Sequence, residues 1–395
     1  MAYIESKYQR YDVLKINIDY YFILIITFIL SIVGIVMVAS SSIAVGETYF
    51  NDPYWFIRRQ IVWWVISFIV FILFSKVNYR FYSKISIFII LITIGLLALV
   101  LIPGFSSVIG GGRRAIDLLF FSIQSSEIAK LALVIFISDT LEKRYREKQT
   151  FKNIFWPSFV VLLVVTLLIF LEPDFGNAVV IWVTVFLLFF IGNVRLKHIM
   201  GLGAAGISIL AAYMFMDPNR VERIQGFING IINGTSDAGG INFQVNQSLI
   251  ALGSGNIFGL GLGNSIQKYS YLPEANTDFI FAIMGEEFGM VGTISIVVLF
   301  VLFAFFGIRV CLKTEDYFGR TVAGAITSMI IIQTVMNIGI VTKLLPVTGF
   351  TLPFISYGGS SLIVCMASAG ILLNISRHNL TVSKKVNVGE EMVEQ

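Results

Sequence analysis

Long apolar stretches separated by short polar connections run through most of the chain. About 20 apolar residues in a helix span the roughly 30 Å hydrocarbon core of a bilayer, and ten stretches have the character of such spans. The predicted spans are residues 20–40, 60–74, 85–102, 126–141, 155–171, 178–191, 199–215, 279–310, 322–341 and 354–375. The eighth is long enough to be tilted or to project from the membrane. The pattern therefore predicts an all-α integral membrane protein with about ten transmembrane helices.

Composition favours the same class. Of the 395 residues, 56% are hydrophobic and 13% are charged, whereas a soluble domain is about 25% charged. The start of the chain is polar and the first apolar run is long enough to span, so no cleavable signal peptide is predicted. The two cysteines, Cys311 and Cys365, fall in or beside predicted spans, and they indicate neither a disulfide framework nor a metal site.

The positions of basic residues predict the orientation in the membrane, because Lys and Arg favour the cytoplasmic side. Most of the 28 Lys and Arg residues fall on the inner side if the N-terminus is placed inside. Residues 1–19 then form an inner segment, 20–375 the membrane domain and 376–395 a disordered inner tail. The polar stretch 217–277, between spans seven and eight, becomes a large outer loop, in which residues 244–252 are expected to form a re-entrant or interfacial helix.

Glu127 and Lys130 are ionisable residues within a predicted span, where a charge costs a few kcal/mol. Because they are three residues apart on a helix, they share a face and can form an ion pair. Two interpretations stay open at this point. The pair is either a buried structural contact or the polar wall of an outward-facing cavity.

Two outer connections carry charged side chains suited to a polar ligand. Residues 110–114 read GGGRR; the glycines allow close backbone approach, and two arginines suit a phosphate or, alternatively, lipid headgroups. Residues 172–176 read EPDFG, a tight turn. In this turn Asp174 either caps the following helix or, with Glu172, contributes to a metal or polar-substrate site.

The outer stretch 217–277 is longer than most loops without a function. Its Arg220, Arg223 and Gln247 predict a polar binding surface, and an ordinary solvated loop is the alternative. Asp278 follows directly, at the start of the eighth span. Its carboxylate either caps that helix, where a negative charge is favourable, or acts in catalysis, and the physical argument alone favours capping.

Glu286 and Glu287 lie further along the eighth predicted span, within an apolar helix. Their spacing would allow one of them to lie beneath the Asp278 carboxylate. An ionisable residue in this setting usually faces protein or water.

Six segments form an ordered series along the chain. They are GRR at 112–114, QSSEIAK at 124–130, EPDFG at 172–176, QSLIALGSG at 247–255, LPEANTDFIFA at 272–282 and LPVTGFTLPFISYGGSS at 345–361. In this order they resemble the SEDS family (shape, elongation, division and sporulation), which comprises the RodA and FtsW proteins, over nearly the whole predicted membrane domain. The resemblance implies a peptidoglycan glycosyltransferase that polymerises lipid II, the undecaprenyl-pyrophosphate-linked disaccharide peptide, on the outer face of the bacterial cytoplasmic membrane.

The resemblance also implies partners. These are a class B penicillin-binding protein, a transpeptidase with a single membrane anchor, and other membrane proteins of the divisome or elongasome; no nucleic acid is implied. The outer segment 40–60 and the sequence of residues 345–361 resemble the division-type FtsW more closely, and a RodA-type elongation polymerase is the alternative. Both termini are expected to be cytoplasmic.

The chain departs from the family pattern at four positions. The family usually has Trp, Pro, Thr and His where this chain has Ala115, Ser125, Asn177 and Asn276. Asn276 matters most, since it removes an imidazole beside Asp278 and with it any role of that ring.

The resemblance makes Asp278 the expected general base. In glycan extension a sugar hydroxyl attacks an anomeric carbon that bears the lipid pyrophosphate, and a base within hydrogen-bond reach accepts the hydroxyl proton. Burial would raise the ordinary Asp pKa of about 3.9. The leaving pyrophosphate needs positive charge, and a divalent cation such as Mg²⁺ or Mn²⁺ would serve the same purpose. The expected substrate-binding residues are Arg113, Arg114, Glu127, Lys130, Asp174, Arg220, Arg223, Gln247, Lys343 and Ser356.

Two other function classes compete with the enzyme. A transporter or lipid flippase fits ten spans with charges inside the membrane. Transporters, however, place their sites near the bilayer midplane between repeated halves, whereas here the polar residues cluster outside and no repeat is evident. A noncatalytic scaffold for the transpeptidase is the third hypothesis for the function of the chain.

Overall fold

The computed structural model describes residues 18–109, 112–118, 121–145, 151–232, 243–269 and 271–393. The helices and strands are, in chain order, α1 (Ile18–Ser41), α2 (Ile43–Phe50), α3 (Trp55–Lys76), α4 (Arg80–Lys84), α5 (Ser86–Val100), β1 (Ser106–Ile109), β2 (Gly112–Leu118), β3 (Phe121–Gln124), α6 (Ser125–Tyr145), α7 (Phe151–Leu171), α8 (Phe175–Ile191), α9 (Leu196–Phe215), α10 (Pro218–Ile232), α11 (Phe243–Ser254), α12 (Ile280–Lys313), α13 (Tyr317–Val341) and α14 (Gly359–Val393).

Every predicted span coincides with a helix. The helices α1, α3, α9, α12 and α13, together with the Gly359–His378 part of α14, are each long and apolar enough to cross a membrane. Shorter apolar helices are α5, α8 and the Phe155–Leu171 part of α7. Helices suit a bilayer because they pair their own backbone groups where no water is available. The prediction of an all-α, multi-span membrane protein is confirmed.

The helix α6 is the most polar of the ten and is enclosed by protein. It packs against α5, α8 and α13, and most of its side chains are buried. Both Glu127 and Lys130 lie on it and are buried. Enclosure by neighbouring helices keeps these charges away from lipid, where they would be costly.

The long helix α12 is interrupted near its outer end. Its 34 residues form two helical parts that meet at Gly289; the longer part, residues 290–313, rises about 36 Å at 1.5 Å per residue, somewhat more than a hydrocarbon core of about 30 Å. At Gly289 the backbone has φ 65° and ψ −161°, which glycine adopts without a Cβ clash. Residues 256–261 run past this break and form backbone hydrogen bonds of 2.9–3.1 Å with residues 286–291.

Two carboxylates fasten that outer segment to α12. Glu286 accepts a hydrogen bond from Ser265, and Glu287 forms an ion pair with Lys268 at 2.9 Å and accepts a hydrogen bond from Ser40 at 2.6 Å. Both carboxylates are thus engaged by the outer segment, and the expectation that one of them lies beneath the Asp278 carboxylate stays a prediction.

Two regions are more helical than predicted. The outer stretch 217–277 contains α10 and α11, and α11 includes residues 244–252, whose helical state is confirmed. The tail expected to be disordered after Ser376 continues α14 as helix to Val393. That tail has no proline and a single glycine, Gly389, so it lacks a strong helix breaker.

A small antiparallel sheet in the order β1-β2-β3 lies between α5 and α6. Ala115 pairs with Gln124, and Ile116 pairs with Ile123. The sequence predicted a glycine-rich loop followed directly by a helix, and no strand. Strands of four to seven residues beside three glycines give too short an alternating pattern to identify.

Candidate active site

Asp278 lies in the turn before α12 and is partly buried. Its main-chain carbonyl accepts a hydrogen bond from Asn337 Nδ2 at 2.7 Å. Its Oδ2 faces Gly349 so closely that a Cβ at that position would lie 3.0 Å away. Any side chain at position 349 would therefore crowd the carboxylate.

The capping role expected for Asp278 is wrong. The N-cap residue of α12 is Phe279, without a side-chain cap, and Thr277 donates to Glu274 instead. Within the described residues, no hydrogen bond or ion pair engages the Asp278 carboxylate. The carboxylate is thus free to meet a ligand.

Burial raises the pKa of Asp278 to about 7. Two neighbouring carboxylates, Glu274 and Asp174, contribute to this rise, while Arg114 opposes it. Burial is thus the largest influence on this carboxyl group. A group with a pKa near the working pH is well matched to accept a proton.

A cavity of about 90 Å³ adjoins this turn. Among its lining residues are four of the predicted ligand-binding residues, Arg114, Asp174, Arg220 and Arg223. Gly349 also lines it and lies beside the Asp278 carboxylate. Three arginines and one carboxylate are thus brought to one opening beside the candidate base.

The sheet and the EPDFG turn position Arg114 and Asp174. Arg114 donates to the carbonyls of Pro173 at 2.8 Å and Glu172 at 3.3 Å. The groups that orient its guanidinium are therefore neutral and do not offset its positive charge. Asp174 caps α8 by accepting from the Asn177 amide at 3.2 Å, which confirms that part of the prediction. Further hydrogen bonds from Ser126, Gln124 and the Asn177 side chain occupy the same carboxylate.

Glu172, in the same turn, is a second carboxyl group with a perturbed pKa. Burial raises its pKa to about 8; the hydrogen bond from Ser125 and the charge of Arg114 oppose this, and Asp174 adds to it. The Ser125 hydroxyl donates to Glu172 Oε1 at 2.9 Å. Glu172 is therefore mostly protonated at neutral pH and adds little negative charge beside the cavity.

The helix α10 presents Arg220 and Arg223 to the cavity. The Arg220 guanidinium lies 3.9 Å from the Tyr213 ring centroid, donates to the Tyr213 hydroxyl at 2.7 Å and pairs with Asp217 at 3.3 Å. Arg223 is exposed and forms no ion pair with the described residues. Arg220 is thus held in one position by its partners, whereas the exposed Arg223 can change conformation to contact a ligand.

Glu127 and Lys130 form the predicted ion pair, with 2.8 Å between Lys130 Nζ and Glu127 Oε1. Both are buried among the helices, and neither is among the residues that line the cavity beside Asp278; Lys130 lines a separate small pocket. The ion pair agrees with the structural interpretation, and a role of either residue in an outward-facing cavity stays a prediction. Lys130 also donates to Gln333 at 2.9 Å.

Three other predicted residues lie outside the cavity lining. Lys343 donates to Asn246 at 3.2 Å, and Gln247 lies on α11. Ser356 donates to the Thr277 carbonyl at 2.6 Å, so it supports the turn before Asp278. The side chain of Arg113 lies outside the described part of the structure.

Asn337 and Gln333 are site residues that the sequence reasoning missed. Asn337 binds the main chain of Asp278, and Gln333 binds Thr351. The available signal was two amides four residues apart in an apolar span, since such polar groups need partners.

The described part of the structure contains no cluster of side chains that forms a metal-binding site. No group of three or more His, Cys, Asp or Glu side chains there is arranged to hold a metal ion. The cationic groups beside the cavity are the arginines.

The fold and the site define an integral membrane protein with a carboxylate and several arginines around one cavity. The family model described as "Cell cycle protein" (FtsW, RodA and SpoVE) matches residues 20–381. The chain belongs to this family.

Two relatives show the degree of similarity. Stage V sporulation protein E of Bacillus subtilis (strain 168) is 40% identical over 357 residues, which cover 90% of this chain and 96% of that protein. A probable peptidoglycan glycosyltransferase FtsW of Saccharophagus degradans is 38% identical over 365 residues, with 92% of each chain covered.

Two solved structures share the fold. One, reported as "Structural coordination of polymerization and crosslinking by a peptidoglycan synthase complex", has a TM-score of 0.69 and 25% identity and covers 89% of this chain and 98% of that chain. The rod shape determining protein RodA of Thermus thermophilus has a TM-score of 0.65 and 24% identity, with 90% and 95% covered.

Proposed function

We propose that this chain is a peptidoglycan glycosyltransferase that polymerises lipid II on the outer face of the bacterial cytoplasmic membrane. The observation that carries the proposal is Asp278, an unpaired carboxylate with a pKa of about 7 beside an arginine-lined cavity. Relatives named as probable peptidoglycan glycosyltransferases, at 37–38% identity over at least 90% of the chain, support the reaction class.

In this proposal Asp278 is the general base. It accepts the proton of the attacking sugar hydroxyl while that oxygen forms a bond to the anomeric carbon of the second substrate. The bond from this carbon to the lipid pyrophosphate breaks, and the pyrophosphate leaves with the electron pair. Asp278 then returns its proton to solvent and is ready for the next addition.

The arginines compensate the charge that develops on the leaving pyrophosphate. Guanidinium groups match phosphate oxygens geometrically and remain charged. Arg114 and Arg220 are held in place by carbonyl, ring and carboxylate partners, so little reorganisation is needed when they act. Arg223 is exposed at the rim and is suited to capture the incoming headgroup.

The biological setting is proposed from the relatives. Those named FtsW favour septal synthesis in cell division, with both termini cytoplasmic. A class B penicillin-binding protein is the expected partner, alongside other divisome proteins, and the solved synthase complex at 25% identity supports such an assembly. The relative named Stage V sporulation protein E, at 40% identity, favours a second candidate role in sporulation.

The test uses purified protein, labelled lipid II and a partner penicillin-binding protein whose own transglycosylase activity is absent. Wild-type protein should form glycan chains, and Asp278→Asn should form them about 10²–10⁴-fold more slowly. Asp52→Asn is the matched control, since Asp52 is another outer carboxylate and pairs with Arg58 away from the cavity. Transport of lipid II across the membrane without glycan polymer would identify a flippase instead. Full activity of Asp278→Asn would contradict the role of Asp278 as the general base.

A further inference from the structure

Two amide side chains on α13, Gln333 and Asn337, are almost completely buried, with 3% and 1% of their surface exposed. They are four residues apart and therefore lie on one face of the helix. A buried amide is costly unless its donors and acceptor are paired. Both NH₂ groups and the Gln333 oxygen have partners, while Asn337 Oδ1 has none among the described residues; the paired atoms show which segments this face of α13 holds.

Gln333 links the ion pair of α6 to the segment 349–351. Its Oε1 accepts from Lys130 Nζ at 2.9 Å, and its Nε2 donates to the carbonyl and hydroxyl oxygens of Thr351 at 3.1 and 3.0 Å. A protonated lysine can only donate, so the amide oxygen must face Lys130 and the NH₂ group must face Thr351.

Asn337 joins the two stretches of main chain that flank the Asp278 carboxylate. Its Nδ2 donates to the carbonyl of Asp278 at 2.7 Å and to the carbonyl of Phe350. The neighbouring Gly349 is the residue against which Asp278 Oδ2 rests. Residues 349–351 thus form a wall beside the carboxylate, and α13 holds this wall in place.

We propose that Gln333 and Asn337 are positioning residues, which hold the wall 349–351 against Asp278 and connect it to the Glu127–Lys130 ion pair. The proposal rests on the role of Asp278 as the base given above. It predicts that the ion pair affects the reaction although neither of its residues lines the cavity beside Asp278. Displacing Lys130 frees Gln333, and the wall that Gln333 supports then loosens.

The wall acts on Asp278 through exclusion of water, because it brings no charge to the site. The charged groups that influence Asp278 are Glu274 in the same turn, Asp174 at the start of α8 and Arg114 on β2. Loosening residues 349–351 leaves these three in place. Greater access of water should therefore lower the pKa of Asp278 toward its ordinary value.

The first test is Asn337→Ala, with Thr334→Val as the matched control. Thr334 is a buried residue of the same helix, and its hydroxyl bonds only to the Ile330 carbonyl of its own helix at 2.9 Å. Hydrogen exchange should accelerate about tenfold in peptides covering 274–282 and 349–357 of Asn337→Ala, the size expected for one lost hydrogen bond. The control should exchange like the wild type.

The second readout is the pH dependence of polymerisation. The acid limb should move to lower pH in Asn337→Ala, and the maximal rate should fall about tenfold while the KM for lipid II changes less. A purely structural defect would lower the amount of active protein and leave the midpoint of the limb unchanged.

Gln333→Met is the second variant and keeps both hydrogen bonds of Asn337. It should accelerate exchange at 349–357, and combining it with Lys130→Met should add little to the effect of Lys130→Met alone, because both act through one connection. Wild-type exchange rates in Asn337→Ala and Gln333→Met, or an unshifted limb in Asn337→Ala, would overturn the positioning role. Absence of polymer with wild-type protein would instead contradict the proposed function, and the exchange data would still decide on the wall.

Discussion

Asp278 and Glu287 are two carboxylates at the outer end of the same helix region, and the protein treats them in opposite ways. Glu287 is buried and accepts from Lys268 at 2.9 Å and from Ser40 at 2.6 Å. No described residue pairs with the Asp278 carboxylate, whose pKa burial raises to about 7. The comparison distinguishes Glu287, whose charge stabilises the fold through an ion pair, from Asp278, whose carboxylate is available for catalysis.

The largest expected effect is on activity at Asp278. Asp278→Asn should lower polymerisation by about 10²–10⁴-fold, the range for loss of a general base, and should leave the thermal unfolding midpoint within a few degrees, because no described residue pairs with the carboxylate. Glycan chain yield and unfolding are measured on the same preparation. Equal loss of stability and activity would make Asp278 a structural residue.

Glu287 should show the reverse pattern. Glu287→Gln leaves Lys268 buried without its counter-charge, which costs about 3–5 kcal/mol when one partner of a buried pair is removed. We expect a lower unfolding midpoint in detergent and a rate per folded molecule close to that of the wild type. The double variant Glu287→Gln with Lys268→Met should recover part of the stability. A stable but inactive Glu287→Gln protein would contradict the structural role of Glu287 and its difference from Asp278.

The next effect in size concerns the charge at the cavity rim. Arg223→Ala should raise the KM for lipid II about tenfold, as expected for one charged hydrogen bond, with a smaller change in the maximal rate. Arg58→Ala is the control, since Arg58 is an exposed arginine that pairs with Asp52 elsewhere. Equal effects of the two substitutions on KM would point to general surface charge rather than to the cavity.

The smallest effect is expected at Ser356, which donates to the Thr277 carbonyl at 2.6 Å. Ser356→Ala should lower the free energy of unfolding by about 1 kcal/mol and change the polymerisation rate by a few-fold at most. Chemical denaturation and the glycan assay measure both quantities. A loss of activity as large as that of Asp278→Asn would make Ser356 a substrate ligand after all.

The helices and several local contacts of polar residues were predictable from the sequence. Apolar length alone identifies a span, and charges such as Glu127 and Lys130, three residues apart, predict their own pairing. The turn residue Asp174 was correctly expected to cap α8. Each of these inferences depends on neighbours in the chain.

The missed features depend on residues far apart in sequence. Ser40 and Glu287 are 247 residues apart, and hydropathy carries no information about such a contact. For the same reason the sequence does not indicate that Lys268, in the outer stretch 217–277, is buried. The wall beside Asp278 also required the fold, because Asn337 and Phe350 meet only when α13 and the segment after it pack together.

The pH dependence of wild-type polymerisation tests the central claim most directly. A base with a pKa of about 7 must lose its proton to act, so kcat/KM should fall about tenfold per pH unit below pH 7 and level off above it. The residual rate of Asp278→Asn should show no such limb. A wild-type profile that is flat between pH 5 and 8, or that titrates near the ordinary Asp value of about 4, would contradict a buried Asp278 as the base.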